Sequence, residues 1–563
     1  MLLRVASSIL FALALSACRS SAADERYFGK TVPPADNRLT YEHVAEPETL
    51  DPTLATLTQE WTTIGALFEG LVASHPETLE PIAGIATHYE VNADSTQYTF
   101  FLRGHASPRG TRLPDTNSLP DEFRHGHKAA PAIKAAQWSD GRVLMARDFA
   151  FAWKRLLDPA TASPNVAYAK AVKDVRALDE FTFQVDLNSP TPFFLKILWQ
   201  PFFSPLREDA VMPGWAARKQ FVSNGPFRIR EWKPYEKIVV EKNPFYYEAD
   251  LVGLDELVFR PVSDPSSYVN VYKAGEADII DGLNVPKFFL PALRGKRDFR
   301  QAPLFMNFSY SINVTKPPAD NVLIRYALNM ATDKAAIAEL LGAVPSKTFV
   351  ASAPGYDPPA AVNVDVNGVT YDILKYDPAQ AREILAHAGF PDGVGRDGTR
   401  LNIPIGFTNS PLRQIPEIIQ QQWRDNLHID VTPIMMENKV LYDSTVTLQY
   451  TGLLESSWFG TYLDPDSFLL RFPSDSLYNG TGFKDPDFDQ LLQEANRTLD
   501  PAERMRKLAE VETQLLKGMP LIPVLYDTLS YLEKPYVRGM RPTPLGTPTC
   551  FKYVYIDRHF DGS

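Results

Sequence analysis

The sequence predicts an α/β fold, and three observations lead to this prediction. Residues 402–435 read as strand, helix and strand ("LNIPIGF", "QIPEIIQQQWRDNL", "IDVTPIM"), the unit that builds parallel sheets with loops gathered at one edge. Several later helices open with Asp-Pro, which places a capping Asp before a Pro in the first turn. Residues 180–300 are rich in short strands with β-branched residues.

The N-terminal residues predict export and lipidation. After Arg4, the apolar run "VASSILFALALSA" has the length of a signal-peptide core. It ends in Leu15-Ser16-Ala17-Cys18, which resembles a bacterial lipobox; an ordinary secretory signal is the alternative. We expect a lipoprotein signal peptide over 1–17, an acylated Cys18 and a body held in the cell envelope or periplasm by a lipid anchor. Residues 18–38 are small, polar and Pro-rich, which predicts a flexible tether.

The next segment, up to residue 160, alternates between regular and irregular patterns. "STQYTFFLRG" has the alternation of a strand. Residues 104–137 carry Gly, Pro, His and charge without an apolar period, which predicts a long inserted loop. From about Arg147 the apolar residues follow helical spacing, and Asp158-Pro159 predicts where that helix stops.

Strands dominate the middle of the chain, and strands and helices alternate after residue 300. The middle strands are "FTFQVDL", "GPFRIREW", "EKIVVEKN" and "ELVFRPV". Gly389 and Gly518 stand where helices are expected to end. The chain finishes with the strand "LIPVLY" and an irregular tail. The predicted helix starts are Asp377-Pro378, Asp485-Pro486 and Asp500-Pro501.

Charge and cysteine content narrow the functional classes. The formal charge of the 563-residue chain is −11, and it becomes −12 without residues 1–17, which hold one Arg and no acid. An acidic body argues against nucleic-acid binding, which needs a basic face. With Cys18 acylated, Cys550 has no partner, so we expect no disulfide.

Enzyme and metal motifs are poor. The sequence has neither a G-x-S-x-G elbow nor an H-E-x-x-H pair. Gly29-Lys30-Thr31 lacks the upstream glycine of a phosphate-binding loop, and His125-Gly126-His127 is at most a partial metal site. We therefore expect a protein that is not an enzyme and that has no cofactor and no resident metal.

The remaining motifs share one resemblance along nearly the whole mature chain. Taken in order, they resemble the peptide/nickel-binding (oligopeptide/dipeptide) family of solute-binding proteins, the extracytoplasmic receptors of ABC importers. The segments that carry the resemblance are "AEPETLDP", "LFEGLV", "WSDGRVLMARDFAFAWKRLLDP", "SNGPFRIREW", "VVEKNPFYYEA", "YKAGEADI", "IRYALNMATDKAAI", "YNGTGFKDPDFDQLLQEA" and "KPYVRGM".

This resemblance implies a periplasmic-binding-protein-like fold of two lobes with an extra N-terminal subdomain, and a ligand trapped between the lobes by hinge closure. It implies a monomer that captures oligopeptides or peptide-like ligands and delivers them to the permease subunits of an ABC transporter. The implied organisation is lobe I from 39–57, 190–300 and 527–560, the extra subdomain from 58–189 with the inserted loop 104–137, and lobe II from 301–526.

Other functions remain open at this point. The same fold could carry a nickel or other metal chelate, haem, an oligosaccharide or a peptide-like antibiotic. A lipoprotein sensor or chaperone that binds peptides without feeding a transporter is the alternative from another class, and an enzyme without a recognisable motif is the third.

The stretch "SSWFGTYLDPDSFL", residues 456–469, resembles the binding loop of the family, often written W-x-x-D-Y-x-x-P. It implies ligand contacts from Trp458, Phe459, Gly460, Thr461 and Tyr462. In peptide receptors of the family the Asp of this motif pairs with the α-ammonium of the peptide, and here that position is Thr461. A hydroxyl accepts a hydrogen bond but carries no charge.

Three explanations of Thr461 stay open. The ligand lacks a free amine, or the site binds peptides weakly, or another acid supplies the charge: Glu455, Glu46 or Asp464. Whether Glu455 faces the cleft depends on where its strand ends, because residues an odd number apart on a strand face opposite sides.

The resemblance also implies the remaining ligand contacts. Residues 45–47 (Ala45, Glu46 and Pro47) are expected to offer backbone groups to the main chain of a ligand, as an added strand would need. Asn313 lies on the strand that enters lobe II, and Tyr526 ends the strand by which the chain returns.

Overall fold

The computed structural model describes residues 26–43, 45–212, 214–217, 221–262, 264–280, 285–286, 289–541, 543–546 and 551–561. Cys18, Cys550 and the predicted signal peptide lie outside these ranges. Within these ranges, no helix is both long enough and apolar enough to cross a membrane.

A single mixed sheet runs through both lobes and confirms the predicted α/β class. Eleven strands among the described residues form it, with parallel and antiparallel pairs. From edge to edge they are Asp430–Met435, Asn402–Phe407, Leu453–Phe459, Phe299–Ile312, Leu521–Glu533, Ile279–Ile280, Arg38–His43, Glu256–Pro261, Lys237–Lys242 and Phe227–Lys233, while Val344–Pro345 pairs with Leu521–Glu533 off this path.

Two long antiparallel strands, Phe299–Ile312 and Leu521–Glu533, join the lobes. Their first-lobe halves pair Phe299 with Leu532, and their second-lobe halves pair Ser311 with Leu521. Between Pro303 and Asn307 the register shifts, so the regular ladder is interrupted where the chain passes from one lobe to the other. An interrupted ladder is the natural place for a hinge, because a few residues there can absorb a change of backbone angle. The last strand is longer than "LIPVLY" predicted, since it continues into the first lobe.

The strand–helix–strand unit of the second lobe forms as predicted. Asn402–Phe407 and Asp430–Met435 pair in parallel, with Ile415–Leu427 as the connecting helix. The carboxyl ends of Asn402–Phe407 and Leu453–Phe459 also run in parallel to the same edge of the sheet. Loops that follow these strands therefore gather at one edge, as in other α/β sheets that bind ligands there.

The predicted helix starts are confirmed. The side chain of Asp500 accepts a hydrogen bond from the backbone N–H of Glu503 at 2.8 Å, and Asp377 and Asp485 cap their helices in the same way. The α-helices are Thr58–Leu67, Asp121–Arg124, Ala146–Leu157, Phe194–Ile197, Pro265–Ala274, Leu290–Leu293, Val322–Met330, Lys334–Leu341, Pro378–His387, Ile415–Leu427, Asn438–Thr447, Asp466–Leu469, Pro486–Arg497 and Pro501–Gly518.

The helix Pro501–Gly518 ends at Gly518, as the sequence predicted. Gly518 is the last helical residue, and the left-handed position after it is taken by Met519, with φ of 42°. A Cβ at Gly518 would lie 2.3 Å from the ring of Phe483. Glycine is needed here because that ring packs against the helix end, and the handedness of the cap is not the reason.

A second sheet builds the N-terminal subdomain. Its strands, in order, are Thr111–Arg112, Ala86–Val91, Gln97–Leu102, Thr182–Leu187 and Val172–Ala177, all antiparallel. Three small two-stranded pairs complete the description: Val72–Ser74 with Pro81–Ala83, Asn363–Val366 with Val369–Asp372, and Val537–Arg538 with Tyr555–Ile556.

The inserted loop 104–137 packs on the body of the protein. Thr116 and the backbone N–H of Ala130 both donate to the carboxylate of Glu248, and His125 Nε2 lies 3.3 Å from the carbonyl of Tyr553. Polar contacts to residues far away in sequence therefore hold the inserted loop in place. Its sequence pattern predicted no regular element, and the structure contains only short ones, such as Thr111–Arg112 and Asp121–Arg124.

The described part of the predicted tether also packs on the body. Tyr27 is buried, and the backbone N–H groups of Phe28 and Gly29 donate to the carboxylate of Asp298 at 2.8 and 3.3 Å. The regular part of the protein thus begins before Leu39. The aromatic rings of Tyr27 and Phe28 pack on the body of the protein. This packing was not predicted because residues 18–38 are polar on average.

Candidate functional site

A cavity of about 420 Å³ is lined by residues of the N-terminal subdomain, the first lobe and the second lobe. Its wall is mostly aromatic and apolar, with hydroxyl and amide groups among the rings, as is usual for ligand sites. The described residues that line it are Thr56, Thr58, Trp61, Thr62, Ile64, Gly65, Phe68, Glu69, Gly70, Val72, Ala73, Ser74, Tyr168, Trp199, Gln200, Pro201, Ser204, Trp458, Phe459, Gly460, Thr461, Tyr478, Leu545 and Phe551.

Four of the expected site residues, 458–461, form one side of this cavity. Trp458 and Phe459 end the strand Leu453–Phe459, and their side chains point to opposite faces of it. The indole N–H of Trp458 donates to the carbonyl of Ser467 at 2.8 Å, and its ring meets Tyr478 edge to face. This fixes the orientation of the indole against the cavity.

Gly460 allows the loop to turn close to the crossing strands. Its N–H donates to the carbonyl of Phe305 at 2.8 Å, and a Cβ would lie 2.2 Å from the ring of Phe305. Any larger residue would push the loop away from the strand Phe299–Ile312. Phe305 lies within the interrupted part of the ladder, so the loop is attached at the proposed hinge.

Thr461 stands at the centre of the loop. Its backbone carbonyl accepts a hydrogen bond from the side-chain amide of Gln200, which is in the other lobe. Its hydroxyl is buried and has no hydrogen-bond partner among the described residues. The backbone of Thr461 therefore joins the lobes, and its side chain presents an unused polar atom at the cavity.

Tyr462 anchors the loop in the other lobe and is buried. Its ring stacks on Phe193 with centroids 5.2 Å apart, and its hydroxyl donates to Asp466 at 2.8 Å. Burial first, and then the two nearby carboxylates, raise the pKa of Tyr462 well above its usual value. Tyr462 does not line the cavity, so its side chain supports the loop and does not contact a ligand there.

Asp464 is committed to a buried ion pair. Its carboxylate accepts two hydrogen bonds from Arg504, at 2.6 and 2.9 Å, and both side chains are at most 3% exposed. Burial has the largest influence on the pKa of Arg504 and lowers it, but the Asp464 carboxylate together with Asp466 and Tyr462 outweighs burial and leaves that pKa raised. The structure thus contradicts Asp464 as the acid that replaces the one missing at position 461, because the paired carboxylate has no free charge to offer.

The other two acids do not line the cavity. Glu455 accepts hydrogen bonds from the backbone N–H (2.8 Å) and the hydroxyl of Thr408, and burial raises its pKa while these bonds lower it. The strand stays extended through Phe459, so Glu455 lies on the opposite face from Trp458. Glu46 accepts from the indole N–H of Trp232 at 2.7 Å. Each of these two acids keeps one buried oxygen without a partner among the described residues.

The remaining expected contacts lie outside the cavity. The amide of Asn313 donates to the carbonyls of Leu448 and Tyr450, and its oxygen accepts from Thr315, so every polar atom serves the fold. The hydroxyl of Tyr526 is engaged by Thr348 and Val350. Neither side chain is available to a ligand in this arrangement.

The backbone segment expected to pair with a ligand follows the strand Arg38–His43. Ala45 is exposed, Glu46 is half-buried and Pro47 is buried. The residues just after it are fixed by Glu60, whose carboxylate accepts from the N–H groups of Glu48 and Thr49, each at 3.1 Å. The segment is therefore held against the helix Thr58–Leu67, which also lines the cavity.

Glu512 supports the segment that contacts Tyr526. Its carboxylate accepts from the N–H groups of Phe349 and Val350 at 2.7 and 2.6 Å, and burial raises its pKa to about 7. Because the folded state retains this proton between pH 4.5 and 7 while the unfolded state loses it, stability from this group is full at low pH and falls as pH rises.

We expect Glu512→Gln to remove this pH dependence. Relative to the variant, the wild-type unfolding free energy should fall by roughly 3 kcal/mol between pH 4.5 and 7.5. Urea unfolding of both proteins at the two pH values measures this difference, in which the other titrating groups cancel. Parallel pH curves would show that Glu512 is ionised in the folded protein.

Glu69 alone among the described lining residues is formally charged, and its charge is neutralised. It accepts from the hydroxyls of Tyr246 and Tyr247 and from the Lys552 ammonium at 2.7–2.9 Å. No lining residue therefore offers a free carboxylate to an ammonium group. Among the described residues, no three His, Cys, Asp or Glu side chains come together as metal ligands.

Sequence reasoning missed the opposite wall. Trp61, Phe68 and Trp199 line the cavity but appear in the sequence as ordinary members of amphipathic or turn segments. The indole N–H of Trp61 donates to the carbonyl of Ala55 at 3.1 Å, which holds the side chain in place. A signal was present, since the "LWQPFF" segment combines a Trp with turn residues as the 456–469 loop does.

Comparison with known proteins places the fold and the site in context. Residues 134–480 match the model for bacterial extracellular solute-binding proteins, family 5 Middle. The chain is 29% identical to the periplasmic oligopeptide-binding protein OppA of Salmonella typhimurium, covering 99% of this chain and 98% of that protein. It is also 29% identical to the probable deoxycholate-binding periplasmic protein YgiS of Escherichia coli, covering 92% and 93%. The solved murein tripeptide binding protein MppA of Escherichia coli superposes with a TM-score of 0.71 at 25% identity, covering 93% of this chain and 99% of that one.

Proposed function

The chain belongs to the bacterial extracellular solute-binding proteins of family 5, and on that premise we propose that it captures oligopeptides or peptide-like ligands between its lobes and delivers them to the permease of an ABC importer. Members of this family bind a solute and do not transform it, so the chain is a binding protein and not an enzyme. The relatives include a periplasmic oligopeptide-binding protein and a dipeptide-binding protein.

The observation that carries this proposal is the aromatic cavity shared by the two lobes. One wall is the 458–461 segment of the second lobe, and the other includes Trp61 and Trp199. Aromatic faces with a few hydroxyls and amides accept varied side chains, while the backbone near residues 45–47 could pair with the main chain of a ligand. A site assembled from two lobes favours a ligand that is enclosed when they come together.

Mass spectrometry of ligand released by denaturing the purified protein tests the proposal. We expect short peptides or peptide-like molecules from the wild type, and much less from a Trp61→Ala, Trp458→Ala double variant. Trp423→Phe, which changes a buried indole that does not line the cavity, is the control that should retain the cargo. Release of haem, a metal chelate or an oligosaccharide alone would contradict a peptide receptor.

A second candidate ligand is an amphipathic organic acid. The cavity wall is mainly apolar, and its only formally charged lining residue among those described, Glu69, is neutralised. One relative bears the name of a probable deoxycholate-binding protein. Release of such an acid in place of peptides, in the same experiment, would select this candidate.

We also propose that acylation of Cys18 anchors the protein to a membrane, on the strength of Leu15-Ser16-Ala17-Cys18. Cys18→Ala is expected to move the protein from the membrane fraction to the soluble fraction, because acylation is the proposed attachment. Fractionation after a high-salt wash measures this. A variant that stays with the membranes would place the anchor elsewhere.

A further inference from the structure

Among the described residues, the guanidinium of Arg471 is a buried charge that the fold does not explain, and it is only 2% exposed. Its Nη2 donates to the hydroxyl of Ser311 at 2.7 Å. Its Nε and Nη1 groups are buried and have no hydrogen-bond partner among the described residues. No carboxylate of the described residues interacts with it, and among them only Tyr450 acts to raise its pKa against the lowering by burial.

Other buried arginines of the described chain differ in this respect. Arg504 pairs with Asp464. Arg325 donates to the carbonyls of Gly518, Ala319 and Asp320, so its three nitrogens are all used. Arg103 donates to two backbone carbonyls and covers the ring of Tyr247. Burying an arginine without hydrogen-bond acceptors costs free energy. The position of Arg471 therefore suggests an acceptor from outside the fold, such as a ligand.

Aromatic rings surround Arg471 and connect it to the cavity. Its Cζ lies 5.3 Å from the ring centre of Trp458 and 5.2 Å from that of Phe472. Ring faces stabilise a cation in part, which allows it to stay charged although burial lowers its pKa to about 10. Trp458 touches both sites, because the same indole lines the cavity.

A row of polar side chains also leads from the cavity wall to the guanidinium. In the pairing of Phe299–Ile312 with Leu453–Phe459, Asn307 lies opposite Trp458 and Ser309 opposite Ser456. Directly opposite residues share one face of the sheet, and so do Asn307, Ser309 and Ser311. The hydroxyl of Ser309 and the side-chain oxygen of Asn307 are buried without partners among the described residues. The row therefore ends at Ser311, the residue bound to Arg471.

We propose that Arg471 and this row make the Trp458 end of the cavity an anion-recognising end, so that the ligand presents a carboxylate there. The hydroxyl of Thr461, at the centre of the loop, carries no charge, and Arg471 is a buried cation beside the indole of Trp458. No free negative charge among the described lining residues opposes it. The inference rests on the proposed capture of peptide-like ligands, and it specifies the chemistry of one end of that ligand.

A set of C-terminally amidated peptides with one apolar sequence tests this, since only the N-terminal group then varies. Three N-terminal groups are compared: a free amine, which is cationic; a succinamyl group, which is neutral; and a succinyl group, which has nearly the same shape as succinamyl but is anionic. We expect succinyl to bind roughly tenfold to a hundredfold more tightly than succinamyl, the range given by unit charges several ångströms apart near a protein surface. The free amine should bind most weakly. Calorimetry measures all three.

Variants assign the effect to Arg471. Arg471→Gln should abolish the advantage of succinyl over succinamyl, and Arg471→Lys should retain part of it. Arg325→Gln removes an equally buried cation outside the site and should leave the ratio unchanged. If Arg471→Gln does not fold, the wild-type ratio and Arg471→Lys still decide the question.

Biphenyl-4-carboxylate and its neutral carboxamide serve as a non-peptide pair. Peptides that bind equally well with all three N-terminal groups would overturn the anion-recognising end while leaving peptide capture intact. Preferential binding of the biphenyl acid, weakened by Arg471→Gln and without binding of any peptide, would support the carboxylate preference and refute the peptide function. Failure of both probe sets to bind would overturn both.

Discussion

Arg504→Met is expected to lower the free energy of unfolding by about 3–5 kcal/mol, because it leaves the Asp464 carboxylate buried and unpaired. The two side chains are at most 3% exposed and share two hydrogen bonds. The same change removes the guanidinium that lies 5.0 Å from the ring of Phe193, and it loosens the base of the 460–466 loop. Urea unfolding measures the stability, and ligand affinity should fall with it.

Two further variants make this result specific. Arg506→Met removes an arginine of the same helix that pairs with Glu510 and is 61% exposed, so it should cost at most about 0.5 kcal/mol. Adding Asp464→Asn to Arg504→Met should recover much of the loss, since the uncompensated charge disappears. Equal effects of Arg504→Met and Arg506→Met would mean that the buried pair does not hold the loop.

Thr461→Asp is expected to change ligand selectivity by roughly two orders of magnitude, because an ammonium buried without a carboxylate partner costs about 3 kcal/mol or more. Peptides with a free amine should bind the variant more tightly than the wild type. N-acetylated peptides should bind it more weakly, because the new carboxylate is then buried without a partner. Calorimetry with matched free and acetylated peptides measures both changes.

The wild type and a control complete this test. In the wild type, acetylation should not weaken binding, since no free acid lines the described cavity and the cation of Arg471 disfavours an ammonium group near Trp458. A loss of a hundredfold or more would instead identify a compensating acid, and Glu455→Gln and Glu46→Gln would locate it. Ser457→Asp adds the same charge at an exposed position that does not line the cavity, and should change neither affinity. If Thr461→Asp also changes neither, Thr461 does not face the ligand.

Local patterns were sufficient for most elements of the fold. The parallel unit 402–435 and the helix starts at Asp377 and Asp500 follow from short-range rules of periodicity and capping, which hold wherever the chain packs. The full length of Leu521–Glu533 was not predicted, because its second half is stabilised by pairing with residues more than two hundred positions away. The helix end at Gly518 was predicted, but the contact with the ring of Phe483 that requires glycine there was not.

The site was predicted on one side only. The 458–461 segment was found because its aromatic and turn residues resemble a family loop, whereas Trp61 and Trp199 belong to distant segments that only tertiary structure brings opposite it. Whether an acidic side chain is available to a ligand also depends on tertiary contacts that the sequence does not show. Asp464 looks available in the sequence, but Arg504, forty residues later, neutralises it.

Small-angle X-ray scattering with and without ligand tests the central claim most directly, that solute is captured between two lobes that move about the interrupted crossing strands. Using the peptide recovered from the purified protein, at a hundredfold excess over its Kd, we expect the radius of gyration to fall. Unfolding should become harder by about 2.7 kcal/mol under the same conditions, which confirms that the ligand is bound. A ligand that stabilises the protein by this amount and leaves the scattering curve unchanged would contradict capture by closure.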